Sequence, residues 1–183
     1  MQRILLAAFV LTLVACGSGY KTAGEADEKK PAATVPANMY GFAPTYSASF
    51  ETGDPKHSEM ILKLWQDWDK GDLSASKDYF ADSLFMYFGD GSSMEGPRDS
   101  ILSASQQYRD MFSQVKTTLH AIFPVKSTDK NESWVCAWAT EVHTDKSGKT
   151  DSTHLQETWR FKGDKVDLLF QHTRAGTPPA QPK

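Results

Sequence analysis

The chain has 183 residues and a formal net charge of −3, a length suited to one domain with appendages. Hydrophobic residues at 39% and aromatics at 11% are enough to bury a core, which excludes a wholly disordered chain. The nearly balanced charge leaves no basic stripe able to track phosphates, so nucleic acid is excluded as the expected partner.

The N-terminus carries Arg3 and then an apolar run from Ile4 to Val14. That is the length of a signal peptide and too short for a typical membrane span. The run ends in Leu13-Val14-Ala15-Cys16, which resembles the lipobox of bacterial lipoproteins. The resemblance implies cleavage before Cys16, diacylation of its thiol and acylation of the new amino terminus. Several chains of the palmitate kind hold a membrane far more firmly than one. The alternative is an ordinary secretory signal with a cysteine near the cut. On the first reading residues 1–15 are a signal peptide and Cys16 is the lipidation site. Gly17 and Ser18 follow it, without an aspartate of the kind that retains some lipoproteins at the inner membrane. The expected location is therefore the bacterial cell envelope, lipid-anchored, at the outer membrane. With Cys16 acylated only Cys136 is left, so no intramolecular disulfide is available. Cys136 stands between Trp134 and Trp138 in a strand-like run and reads as a buried, inert thiol rather than a nucleophile.

Residues 16–53 are rich in Gly, Ala, Thr, Pro and charge and read as a flexible tether. The aromatics of "MYGFAPTYSASF" are unusual for a linker and suggest that part of it docks on the domain. The body is expected over 54–175, and the tail 176–183 reads as disordered. Asp54-Pro55 supplies a cap and a first-turn proline for a helix. Met60, Ile61, Leu64, Trp65 and Trp68 recur at helical spacing, and Gly71 ends it. Asp67 and Asp69 flank that apolar stripe and are expected in solvent. Asp72 is placed to cap a short helix carrying Leu73, Tyr79 and Phe80. A strand over 84–88 and the turn Gly89-Asp90-Gly91 follow. Pro97 and Asp99 open another helix, with Ile101, Leu102, Tyr108, Met111 and Phe112 on one side. Four strands are then predicted, over 115–125, 134–144, 152–162 and 165–174, with hairpin turns at 145–148 and at Gly163-Asp164. Helices followed by an antiparallel meander predict an α+β fold with helices on one face of a curved sheet.

The stretch "WDKGDLSASKDYFADSLFMYFGDGSSMEGPRDSI" resembles the opening of the nuclear transport factor 2-like, or SnoaL-like, superfamily. Its landmarks are a helix ending in Gly-Asp-Leu, a Tyr-Phe-Ala-Asp, a strand and a Gly-x-x-x-Ile helix start. "ETWRFKGDKVDLLFQHTR" resembles the two closing strands of that fold. The resemblance implies a cone-shaped, cystatin-like roll, a curved antiparallel or mixed sheet wrapped around the N-terminal helices with a pocket between them. It also implies frequent dimerisation through the outer sheet face, here a homodimer. The superfamily holds isomerases, cyclases, dehydratases and non-catalytic binding modules. Its steroid isomerases use a tyrosine and a base aspartate at the positions that are Leu64 and Phe88 here. Neither side chain can do that chemistry.

Hairpin registers counted from the two turns oppose Ala137 to Glu157, Ala139 to Leu155, Trp159 to Leu168 and Leu155 to His172. Side chains alternate between faces, so one face collects Val135, Ala137, Ala139, Leu155, Trp159, Phe161, Val166, Leu168 and Phe170. The other carries Trp134, Trp138, His154, Gln156, Arg160, Asp167 and Gln171, with Arg160 and Asp167 set for a cross-strand ion pair. A one-residue slip would exchange the faces. On the apolar face Glu157 and His172 become diagonal neighbours, with Glu141 nearby. A carboxylate beside an imidazole in an apolar cavity is how a general base is tuned toward neutral pH. Glu157 and His172 are thus the candidate catalytic pair; the competing reading is a structural pair, or two residues at a wet sheet rim. The expected pocket wall is Trp65, Trp68, Phe80, Tyr87, Glu141 and Trp159. "SGKT" at 147–150 lacks the earlier glycine of a phosphate loop, and "NES" at 131–133 is a turn. The five histidines show no metal-ligand spacing, and there is no nucleophile elbow or dinucleotide fingerprint, so neither metal nor cofactor is expected. The sequence therefore predicts an envelope lipoprotein whose domain binds a small apolar or amphipathic molecule, or an envelope protein, without catalysis. The alternative is an isomerase, cyclase or hydratase using Glu157 and His172.

Overall fold

A computed structural model describes residues 41–177 and the backbone of a two-residue strand, β1 (Ala33–Thr34). The expectations for residues 1–16, including Cys16, and for the end of the tail lie outside the described residues. The elements that follow are β2 (Ser49–Thr52), α1 (Pro55–Lys70), a 3-10 turn (Ser74–Tyr79), β3 (Phe80–Tyr87), β4 (Ser93–Pro97), α2 (Arg98–Arg109), β5 (Phe112–Ser127), β6 (Ser133–Asp145), β7 (Thr150–Lys162) and β8 (Lys165–Ala175). They form one mixed sheet in the order β1-β2-β5-β6-β7-β8-β3-β4. Only the β3–β8 pair among the described strands is parallel. The helices pack on one face of this curved sheet, the α+β cone the sequence predicts.

Helix α1 begins and ends where its capping residues require. The Asp54 side chain accepts from the Lys56 amide at 2.9 Å, and Gly71 closes the helix in the left-handed region at φ 85°, a conformation only glycine adopts cheaply. The last carbonyls of the helix are answered from outside it. Arg109, buried at the end of α2, donates to the Trp68 and Asp69 carbonyls (2.6 and 2.9 Å) and to that of Phe112 (3.0 Å). A guanidinium with five donors suits that task. The core joins Ile61, Leu64 and Trp65 of α1, Leu84 and Met86 of β3 and Ile101 of α2 to Val135, Ala137, Ala139, Trp159, Phe161, Val166 and Leu169 of the sheet.

The structure departs from the sequence-based expectation in several places. Asp67 is not solvated, and Asp69 is only partly so. Asp67 is 2% exposed and accepts from Lys63 and from Ser76 Oγ, tying the 3-10 turn to α1. Asp69 accepts from the Thr117 amide and hydroxyl (2.9 and 2.8 Å), tying α1 to β5. The segment expected to be helical after Asp72 is a 3-10 turn; the Asp72 carboxylate accepts from Ser74 instead. Strand β4, which pairs with β3, was not anticipated. On α2, Ile101 is buried but Tyr108 is more than half exposed; Met111 lies beyond the end of the helix and is likewise exposed, and Phe112 belongs to β5. The stretch expected to be tether up to residue 53 contributes β2 to the edge of β5, and Ser47 Oγ and Ala48 N donate to Asp129 (2.5 and 3.1 Å).

The most consequential departure is one residue long. The β6–β7 register is as counted, with Ala137 opposite Glu157 and Ala139 opposite Leu155. The β7–β8 hairpin starts as counted, with Lys162 opposite Lys165 and Phe161 opposite Val166. Arg160 then faces Leu168, so Asp167 is an extra residue in β8. This bulge coincides with a two-point ion pair, both Arg160–Asp167 contacts at 2.9 Å. Beyond it every β8 side chain changes face. Leu169, Gln171 and Thr173 turn to the helices, while Phe170 and His172 turn away.

Candidate functional site

Between the helices and the sheet lies a cavity of about 580 Å³, within the range of small-molecule sites. Helix α1 gives it Leu64, Trp65 and Trp68; β3 gives Phe80, Met86 and Phe88 just beyond its end; β6 gives Glu141 and His143. Strands β7 and β8 give Leu155, Glu157 and Trp159, and Leu169, Gln171 and Thr173. Exposed Asp90, Ser92 and Tyr108 form part of its rim. Gly89 also lines it, and the backbone there passes so close to Thr173 that any Cβ would clash.

Two carboxylates reach this cavity, each held by indole. Glu157 is 4% exposed and accepts from Trp65 Nε1 at 2.9 Å, Trp159 Nε1 at 3.0 Å and Gln171 Nε2 at 3.0 Å. Burial pushes its carboxyl above the ordinary 4.5; the three donors and the Glu141 charge act after that, the donors in the opposite direction. Glu141 accepts from Trp68 Nε1 at 2.7 Å. Its carboxyl is also raised, by burial first and then by Asp69, against the pull of Trp68 and Arg109. His143 Nδ1 stands 3.6 Å from Glu141 Oε1 and makes no hydrogen bond. With their N–H groups committed to carboxylates, the three indoles offer carbon surface to anything in the cavity.

Of the pocket residues expected from sequence, Trp65, Trp68, Phe80, Glu141 and Trp159 line this cavity. Tyr87 does not. It lies on the outer face, 43% exposed and stacked on Phe170 at 5.1 Å, because its strand neighbours Met86 and Phe88 take the inner positions. The Glu157–His172 pair does not form. The bulge at Asp167 sets Gln171 opposite Glu157 and sends His172 to a shallow outer depression with His120, Trp138 and His154. Gln171 therefore takes the place expected of His172 and serves there as a neutral hydrogen-bond donor, without acid/base capacity. Leu64 and Phe88, which the sequence resemblance sets at the steroid-isomerase positions, both line the cavity as apolar wall. Cys136 is half-buried, and burial pushes its thiol up against a hydrogen bond to Thr158. Among the described residues no group of three or more His, Cys, Asp or Glu side chains is arranged to hold a metal.

No protein-family model matches the chain, and no curated protein matches it. Solved structures do. An NTF2-like protein from Anabaena variabilis is 12% identical, with a TM-score of 0.54 over 66% of this chain and 89% of that one. IdmH, described as a putative polyketide cyclase from Streptomyces antibioticus, is 15% identical, with a TM-score of 0.51 over 64% of this chain and 91% of that one. A protein of ketosteroid isomerase-like fold from Catenulispora acidiphila, solved with trimethylamine, is 16% identical, with a TM-score of 0.52 over 62% of this chain and 84% of that one. At these identities the likeness establishes the fold.

Proposed function

On the premise that this domain has the nuclear transport factor 2-like, or SnoaL-like, fold, we propose that it is a binding module for one small apolar or amphipathic molecule held inside the cone. The observation that carries this reading is the cavity itself, walled by aromatic and aliphatic side chains, with two carboxylates fixed by indole donors. Binding without catalysis is favoured because the acid/base partner expected for Glu157 is on the other face of the sheet and the isomerase positions are apolar. Fluorescence titration with the neutral probe N-phenyl-1-naphthylamine tests it. Saturable one-to-one enhancement is expected, lost when Leu155→Trp fills the cavity. Absence of saturation in the folded wild-type domain would end the proposal.

We further propose that the domain is carried on a lipid anchor at Cys16 in the bacterial envelope, on the strength of Leu13-Val14-Ala15-Cys16 after an apolar run. Mass spectrometry of the mature N-terminus is expected to find an acylated Cys16, absent in Cys16→Ala. The outer face exposes Trp138 at 44% and Phe123 at 40%, in edge contact at 5.9 Å, and we propose it as the homodimer contact. Sedimentation in which Trp138→Glu leaves the wild-type mass unchanged would refute that contact.

A further inference from the structure

The charges around the cavity are one-sided. Asp90, Glu141 and Glu157 line it, and no lysine or arginine does among its lining residues. Of the basic groups near these acids, Arg109 donates to three backbone carbonyls and acts on Glu141 only through its charge, and the His143 imidazole, also in the lining, stands 3.6 Å from Glu141 Oε1 without hydrogen-bonding it. Glu157, almost completely buried, is met only by uncharged N–H donors. A buried carboxylate without a cation is costly, and a complementary charge entering the cavity would relieve that cost. Around the acids stand the carbon surfaces of Trp65, Trp68 and Trp159, with Tyr108 beside Trp68 at a centroid distance of 6.2 Å. Aromatic rings attract cations through their negative faces, and tryptophan does so best.

We infer that the cavity selects a small organic cation, an amine or quaternary ammonium group carried on an apolar body. The ammonium sits among Glu141, Glu157 and the tryptophans, and the apolar body lies against Leu64, Phe88 and Leu155. The inference rests on the ligand-binding reading above and narrows it to one charge class. An inorganic cation would satisfy the acids but leave the apolar wall unfilled; an anion would meet two carboxylates inside the cavity and Asp90 at its rim.

The test compares two molecules of matched shape, 3-hydroxyphenyltrimethylammonium and 3-tert-butylphenol, in which nitrogen is replaced by carbon. Isothermal titration at neutral pH is expected to give about tenfold tighter binding of the cation. The preference should shrink in Glu141→Gln and vanish in Glu141→Gln/Glu157→Gln, each variant first shown to be folded by its circular dichroism. If the double variant does not fold, Glu141→Gln alone decides through the reduced ratio. Equal or tighter binding of the phenol by the wild type overturns the cation inference and leaves the apolar cavity reading intact. Failure of both molecules and of the neutral probe overturns both.

Discussion

Glu157 was visible in the sequence as a polar residue on an apolar strand face, and its register partner Ala137 was correctly counted. Its real partners were not visible, since the two indoles come from positions 92 and 2 residues away and Gln171 from behind a bulge. Each donor should matter. Trp65→Phe keeps most of the ring but leaves the buried carboxylate one donor short, and about 1–2 kcal/mol of stability should be lost, read by urea denaturation. Glu157 and Asp67 should also set opposite limbs of the pH profile. Because the Glu157 pKa is raised, the folded chain holds its proton longer than the unfolded one, so stability falls as pH rises above about 4.5. For Asp67 burial pushes the pKa up, but the hydrogen bonds and charges of Lys63, Ser76 and Lys70 outweigh it and leave it depressed. Its contribution is present above 3.8 and is lost as pH falls through the lower folded value. Urea midpoints across roughly pH 3–8 should show Glu157→Gln flattening the high-pH limb and Asp67→Asn the low-pH limb.

At the scale of elements, local signals were reliable where the chemistry is local. Asp54, Pro55 and Gly71 mark the ends of α1 because caps are decided by neighbouring residues, and Asp145 and Gly163 mark two hairpins for the same reason. The closing of α1 by Arg109 was not legible, because that contact spans 40 residues and looks like an ordinary basic residue in a last helical turn. Arg109→Leu should therefore behave unlike a surface change and lose about 3 kcal/mol or more, since three carbonyl partners are left unmade; thermal denaturation measures it. The bulge at Asp167 shows the limit of register counting. Turn length fixes only the first pairs of a hairpin, and one extra residue transferred His172 to the outer face and Gln171 to the inner one. The Arg160–Asp167 ion pair foreseen from the sequence is the feature that accompanies this bulge. A double-mutant cycle on that pair should return a coupling of about 1 kcal/mol, more than for an isolated surface pair, because its contacts are two-point and partly shielded.

For the whole molecule, the order and spacing of weak landmarks specify the cone, although no single motif in it is diagnostic. The lower boundary of the domain was set too late, because β2 has the composition of a linker and becomes a strand only by pairing with the edge of β5. Helix periodicity and strand alternation both point Trp65, Trp68, Phe80, Glu141 and Trp159 inward, where they line the cavity; Tyr87 lies one step of that alternation away, on the outer face. What the sequence could not show is that three of its five tryptophans surround one cavity, while Trp134 and Trp138 lie on the outer face. That division offers a direct assay of the cavity as a ligand site. In a ¹H–¹⁵N spectrum of the domain titrated with a small apolar amine, the indole Nε1–H signals of Trp65, Trp68 and Trp159 should shift together and saturate, with those of Trp134 and Trp138 unmoved. Shifts confined to Trp134 and Trp138, or no saturable shift in any indole, would contradict a binding site inside the cone.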